Sequence, residues 1–412
     1  MKDPLKILFV SPTIPYPPLD GGRIRVLNVI SRLCRGNDLT FLAFAHPVDD
    51  KDGVDYLNNL NMEVVTVESP DSGTSDNISG LWRSFIHRKP FTVAKYYSKE
   101  MVNTLSDLLN SGDFDLVHFE MIHTGQFLFL LKRMPQCVTV LGQQNVDSGI
   151  WYRLAKNEFS FYKKSLYLYQ YGQFADYENR ICSGFDLCTC VSEEDKQRLI
   201  NLCPDANIEV IENGVDLEYF KPFDETEERQ RIVFTGSMDW QPNEDAVIHF
   251  CKDILPIIQD KFPDVEFYIV GSKPTLRVQE LDKIYGVTVT GSVEDVRPYI
   301  SSASVFVVPL RIGGGTRLKI LQALAMNKAT VSTSVGAEGL GLESGNHIMI
   351  SDSPDEFAEF TVNLMKDDEL RYSLANTGRD FVKERYSWDV IVYKMETEYR
   401  KIIDKHKKLD KA

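Results

Sequence analysis

The sequence has no Cys-x-x-Cys pair, no apolar run of membrane-spanning length and too few cations to balance its acids. Each shortage excludes something. The seven cysteines, at 34, 137, 182, 188, 190, 203 and 251, are odd in number and scattered, so no disulfide framework is expected. Cys182, Cys188 and Cys190 are close enough to consider for a metal. However, Leu187–Val191 reads as a buried strand, and the expectation is buried reduced thiols. The apolar run near the N-terminus stops at Val10 and meets Pro12, Pro15, Pro17 and Pro18, too soon for a signal core or a span. The expected location is cytoplasmic, with peripheral contact at the inner face of a membrane left open. Lys and Arg number 46 against 60 Asp and Glu, a net charge of −14, which argues against general nucleic-acid binding.

What is present is a repeated alternation. The 412 residues exceed one ordinary core. Short apolar runs at 5–10, 39–44, 63–67, 116–119, 137–141, 187–191 and 209–211 are separated by helical patterns. The same alternation restarts with runs at 231–236, 265–271, 287–291, 303–310 and 329–333, three of them ending in glycine. The expected class is α/β: two tandem Rossmann-like, doubly wound domains with a cleft between them. The boundary is placed at Asn213-Gly214, giving domains 1–212 and 213–387, with an amphipathic helix at about 388–406 packing back on the first.

The strongest chemical signal is Gly313-Gly314-Gly315-Thr316-Arg317-Leu318-Lys319, between a β-branched run and a helix-forming segment. Backbone N–H groups and the helix dipole there point at an anion. Arg317 and Lys319 oppose that dipole by about 0.3–1 kcal/mol each. A diphosphate held between them and the helix end compensates. Gly21-Gly22, with Arg23 and Arg25, is a weaker echo after the first strand.

Several other stretches fit one family. Asn213-Gly214-Val215-Asp216 with Phe220 and Pro222 resembles an interdomain signature. Residues 235–243, Thr-Gly-Ser-Met-Asp-Trp-Gln-Pro-Asn, resemble the opening of a donor domain. Gly291 to Val296, including Val293, resembles a base-contacting loop, and Arg311 to Met326, continuing to Leu340, resembles a donor-site core. Together they look like a GT-B glycosyltransferase of the retaining family 4 group, in its exopolysaccharide-associated branch.

That resemblance implies a nucleotide-sugar donor on the second domain and a glycan or lipid-linked glycan acceptor on the first. It implies no cofactor and no metal, the cations Arg317 and Lys319 serving the diphosphate. No Asp-x-Asp motif sits at a strand end. Donor contacts would come from Gly21, Gly22, Arg23, Gly236, Ser237, Gly291, Val293, Gly313, Gly314, Gly315, Thr316, Leu318 and Gln322. His118, Glu120 and His123, at a strand end, would act at the sugar or acceptor, and Gln143, Gln144 and Asn145 would bind acceptor. The resemblance further suggests same-face attack, the donor's phosphate oxygen taking the acceptor proton.

The sequence also departs from the family. Gly314 and Gln322 stand where many members carry glutamates, Ser237 stands near where an Arg and a Lys are common, and Glu212 replaces the usual Pro. An impaired nucleotide-sugar-binding protein and a nucleotide-sugar epimerase on the same fold therefore stay open. The aromatic segment Ile150 to Asn179 is read as core or interdomain packing. Leu81 to Lys99 is read as ordinary amphipathic surface rather than an acceptor contact. His46, His249 and His347 receive no role.

Overall fold

The computed structural model describes residues 3–46, 48–70, 89–133, 137–157, 160–223, 227–312 and 317–409. The chain divides into two compact units, Met1–Glu212 with Val392–Ala412, and Asn213–Ile391.

The first unit is built on β1 (Lys6–Ser11), β2 (Asp38–Ala45), β3 (Glu63–Glu68), β4 (Leu116–Glu120), β5 (Val138–Gly142), β6 (Leu187–Cys190) and β7 (Ile208–Val210). They form one sheet in the order β3-β2-β1-β4-β5-β6-β7. Every pairing is parallel. Helices cover the faces, so the central strands are buried on both sides and read as continuous apolar runs. All seven cysteines are free and buried. Among the described residues, no group of His, Cys, Asp and Glu is arranged to hold a metal ion.

The second unit repeats the plan with β8 (Glu228–Thr235), β9 (Glu266–Val270), β10 (Val287–Gly291), β11 (Ala303–Val308), β12 (Thr330–Ser332) and β13 (Met349–Ile350), in the order β10-β9-β8-β11-β12-β13. Strand β13 has two residues, too short to leave a period in the sequence. In each sheet the order reverses beside the first strand, between β1 and β4 and between β8 and β11. Loops leaving those paired carboxyl ends diverge to opposite faces and open the crevice where doubly wound sheets bind ligands.

The last helix, Trp388–Leu409, begins in the second unit and ends in the first. Its buried Tyr399 and Ile403 join the first unit. In the second unit, Gly214 lies so close to Trp388 that a Cβ would come within 2.7 Å of the indole.

The aromatic segment behaves differently from the core reading. Helices Asp147–Asn157 and Phe161–Cys182 pack as a hairpin. Phe174 and Tyr177 are buried with Val93 and Ile122. Phe161, Tyr162, Leu166, Leu168 and Tyr169 are exposed. Core packing therefore holds for the base of the hairpin and fails at its far end. Of Leu81 to Lys99, residues 81–88 lie outside the described residues; in the remainder Val93 and Ala94 are buried and Phe91, Tyr96 and Tyr97 half-buried.

Candidate active site

In the second unit, the turn after β8 and the helix after β11 converge at the switch point. The turn is held by close backbone packing. Gly236 N donates to Val270 O at 3.0 Å, and a Cβ on Gly271 would fall 1.7 Å from Gly236 O. Only glycine fits at Gly271. Asn243, in the helix Gln241–His249, donates through Nδ2 to Ser237 O at 2.8 Å. Its Oδ1 accepts from Lys319 Nζ, also at 2.8 Å. One buried amide thus ties the turn after β8 to the helix Leu318–Ala325 that follows β11.

Lys319 Nζ lies 3.9 Å from the centroid of the Phe234 ring. A Cβ on Gly236 would approach Nζ to 2.9 Å, so a side chain there would crowd the amine. Burial, with a smaller push from the charge of Arg317, brings the Lys319 amine down to about 7. The amine has a neutral amide, a ring face and a neighbouring cation. Among the described residues no carboxylate pairs with it, and a bound phosphate would supply an anion.

The surrounding donor candidates divide. Ser237 is exposed, its hydroxyl donating to Asp239 Oδ1 at 2.6 Å, and Asp239 lies 3.6 Å from Lys273. Arg311 forms a two-pronged pair with Asp245, at 3.0 and 2.6 Å. Gly291 has φ of 69° and open space where a Cβ would stand. Val293 and Leu318 are half-buried and pack on the core of this unit. Gln322 is half-buried in the helix that carries Lys319. Gly313, Gly314, Gly315 and Thr316 lie outside the described residues.

In the first unit, the corresponding switch point is an enclosed polar chain. Tyr399 OH lies 2.8 Å from His118 Nδ1, and His118 Nε2 lies 2.8 Å from Glu120 Oε2. Gln144 Nε2 donates to Glu120 Oε1 at 2.6 Å. Burial alone would raise the Glu120 carboxyl. The hydrogen bond and charge of His118, with Arg25 and Gln144, outweigh it and hold the group below its ordinary value. Glu120 accepts from His118 Nε2–H, and the Tyr399 hydroxyl pairs with Nδ1.

His118 and Glu120, expected at the sugar or acceptor, are instead found turned to partners within the protein. Both ring nitrogens and both carboxylate oxygens are engaged, and the residues are 0% and 2% exposed. A Cβ on Gly142 would come 2.6 Å from His118 Nε2, so glycine makes the room for it.

His123 is half-buried beside Tyr96, with ring centroids 5.2 Å apart, and burial holds it down to about 4. It is neutral near pH 7. Its Nδ1 has no hydrogen-bond partner among the described residues, so it can still bond a hydroxyl.

Gln143 is a second such case. Its side chain turns inward and donates to Cys182 Sγ at 2.9 Å, away from any acceptor. Gln144 reaches Glu120 and Gly22 O, and Asn145 is exposed.

The glycine pair after β1 also differs from an open phosphate cradle. Asp20 caps the helix Gly21–Leu33, accepting from Arg23 N at 2.9 Å, and its other oxygen lies 3.6 Å from Arg23 Nε. A resident carboxylate therefore already occupies the positive helix end. Gly22 is confined by Gln144, whereas Gly21 has open space. Arg25, named in the sequence only beside the glycines, is buried and donates to the carbonyls of Ile211 and Glu212 at 2.9 Å each.

Residues 229–367 match the family model described as Glycosyl transferases group 1, and residues 54–219 that of Glycosyltransferase Family 4. The chain belongs to the family 4-like glycosyltransferases of GT-B fold. Similar proteins include an uncharacterised protein of the cps region of Klebsiella pneumoniae, 24% identical over 92% of this glycosyltransferase and 96% of that protein. A GDP-mannose-dependent alpha-(1-6)-phosphatidylinositol monomannoside mannosyltransferase of Mycobacterium tuberculosis is 24% identical over 52% of this chain and 62% of its own. The structure of Anabaena HepE in complex with UDP and glucose superposes with a TM-score of 0.64 at 14% identity. It covers 96% of this chain and 100% of that one.

Proposed function

We propose that this glycosyltransferase is a retaining enzyme that uses no metal. It moves a sugar from a UDP- or GDP-sugar to a hydroxyl of a glycan or lipid-linked glycan in cell-surface polysaccharide synthesis. The observation that carries the reading is the Lys319–Asn243–Gly236 arrangement. It is a fixed, desolvated amine at the switch point of the second sheet, next to Arg317, with no paired carboxylate among the described residues. Preorganised cations at the departing diphosphate stabilise charge that grows in the transition state. In this step the acceptor oxygen bonds to the anomeric carbon as the bond to the diphosphate breaks. The acceptor proton passes to a phosphate oxygen on the same face. Arg317 and Lys319 hold that leaving group.

Two similarities support the donor class. One relative is named as GDP-mannose-dependent, and HepE is described with UDP and glucose. The acceptor class is supported by the phosphatidylinositol monomannoside in the first name and by the cps region of the Klebsiella relative. In the first unit, His123, Gln144 and Asn145 are the expected site residues with a polar atom to offer an acceptor hydroxyl.

The test is a panel of UDP- and GDP-sugars with glycan and polyprenyl-linked acceptors, read by nucleotide release and by the anomeric configuration of the product. Transfer with retained configuration, unaffected by chelator, is expected. Inverted product or chelator-sensitive transfer refutes the mechanism, and absence of any turnover with donor bound refutes the enzyme.

A further inference from the structure

Among the described residues, the hairpin of helices Asp147–Asn157 and Phe161–Cys182 is buried at its base. There Trp151 stacks on Phe174 with ring centroids 6.2 Å apart, and Tyr177 lies buried beside Val93 and Ile122. Toward its other end the longer helix leaves the body of the unit. Positions 161–166 are all exposed, with Phe161 at 77% and Tyr162 at 86%. An amphipathic surface helix hides its apolar stripe; here the whole circumference faces outward and still carries Phe, Tyr and Leu. Tyr152 and Leu154 on the facing helix are exposed as well. Large apolar side chains exposed together at one end of a hairpin are the kind of surface that marks an interaction site.

The charge around it runs against the rest of the chain. Between residues 150 and 175 the sequence holds Arg153, Lys156, Lys163 and Lys164 against a single acid, Glu158, in a protein of net charge −14. Lys156, Lys163 and Lys164 are exposed, and none has a carboxylate partner among the described residues. Lysines directly beside exposed aromatics suit a lipid–water interface. The rings sit at headgroup depth there, while the ammonium groups reach phosphates on flexible stems. Protein interface cores, by contrast, are depleted in lysine.

We infer that the far end of this hairpin docks the enzyme on an anionic lipid surface. Phe161, Tyr162 and Leu166 enter the headgroup layer, and Lys156, Lys163 and Lys164 pair with lipid phosphates. The inference is independent of the donor and of the reaction mechanism. It holds the acceptor-side unit at the surface where a lipid-linked acceptor would be presented.

The test is co-sedimentation of the full chain with phosphatidylcholine vesicles, with and without phosphatidylglycerol, at low and high salt. Two variants are compared with wild type, Phe161→Ser/Tyr162→Ser/Leu166→Ser and Lys163→Glu/Lys164→Glu. Because the altered side chains are exposed, both variants should keep the wild-type unfolding midpoint and UDP affinity. Wild type is expected to bind the anionic vesicles and to leave the neutral ones unbound. Reversing two lysines should weaken binding by about tenfold or more at low salt, and the apolar variant should weaken it at both salt levels. Failure of wild type to bind anionic vesicles overturns the inference. So does binding that both variants retain. A wild-type dimer in light scattering that the apolar variant converts to monomer, with vesicle binding unchanged, would assign the patch to a second copy of the chain and also overturn it.

Discussion

The amine of Lys319 offers a quantitative test of the diphosphate assignment. With its value brought down to about 7, the group is a cation in only part of the unliganded protein near neutral pH. A bound diphosphate would hold it protonated, so binding takes up a proton whenever the free amine is neutral. The protonated fraction falls from about nine-tenths at pH 6 to about one-tenth at pH 8, and affinity should fall with it by about tenfold. The nucleotide's own phosphate titrates in the same range, and Lys319→Arg provides the correction because its guanidinium stays charged throughout. The ratio of wild-type to Lys319→Arg affinity for UDP, or for GDP, should therefore drop about tenfold from pH 6 to pH 8. Titration calorimetry in buffers of different ionisation enthalpy should record up to one proton taken up by wild type at pH 8 and none by the arginine variant. The sign for stability follows from the same shift. The folded value lies below the unfolded value of 10.5, so the folded protein binds fewer protons between pH 7 and that value. Stability from this group is gained as pH rises through the window and is lowest below it. Lys319→Met should then melt higher than wild type at pH 7 while losing affinity for the diphosphate far more than for the nucleoside. A wild-type to Lys319→Arg ratio that stays flat with pH, or equal losses for nucleoside and diphosphate, would refute the argument.

Two predictions concern the polar chain of the first unit. Gly142→Ala places a Cβ 2.6 Å from His118 Nε2 and 2.7 Å from Glu120 Oε2. It should lower stability by about 1–3 kcal/mol, read as a reduced urea midpoint at unchanged slope, whereas Gly21→Ala, which meets open space, should serve as a near-neutral control. Tyr399→Phe removes the hydroxyl from buried His118 Nδ1 and should cost about 1–3 kcal/mol. A loss below about 0.5 kcal/mol, the range of an ordinary surface change, would show that the hydroxyl does not satisfy the ring.

The architecture was largely legible along the chain because buried parallel strands leave continuous β-branched runs. Val305-Phe306-Val307-Val308 is such a run, completely enclosed in β11. The candidate phosphate-binding cations, Arg317 and Lys319, were picked out by their place after a glycine run between strand and helix. Other assignments failed for physical reasons. Gln143 and Gln144 are neighbours, yet one side chain enters the core and the other reaches Glu120. Successive residues leaving a strand point to opposite faces, and composition does not say which is inward. His118 and Glu120 carry the residue types of catalysis, but whether their atoms are free depends on Tyr399, which stands 281 positions away. The same dependence governs Lys319. Its partner Asn243 is 76 residues distant and comes within reach only because the sheet order sets β8 beside β11.

By itself, then, the sequence determined the two doubly wound units, the family and the kinds of charge available, since periodicity and local motifs are properties of short windows. The tertiary structure decided which of those charges are enclosed, partnered or left wanting an anion. Desolvation and hydrogen bonding are set by groups that the sheet order brings together from distant parts of the chain.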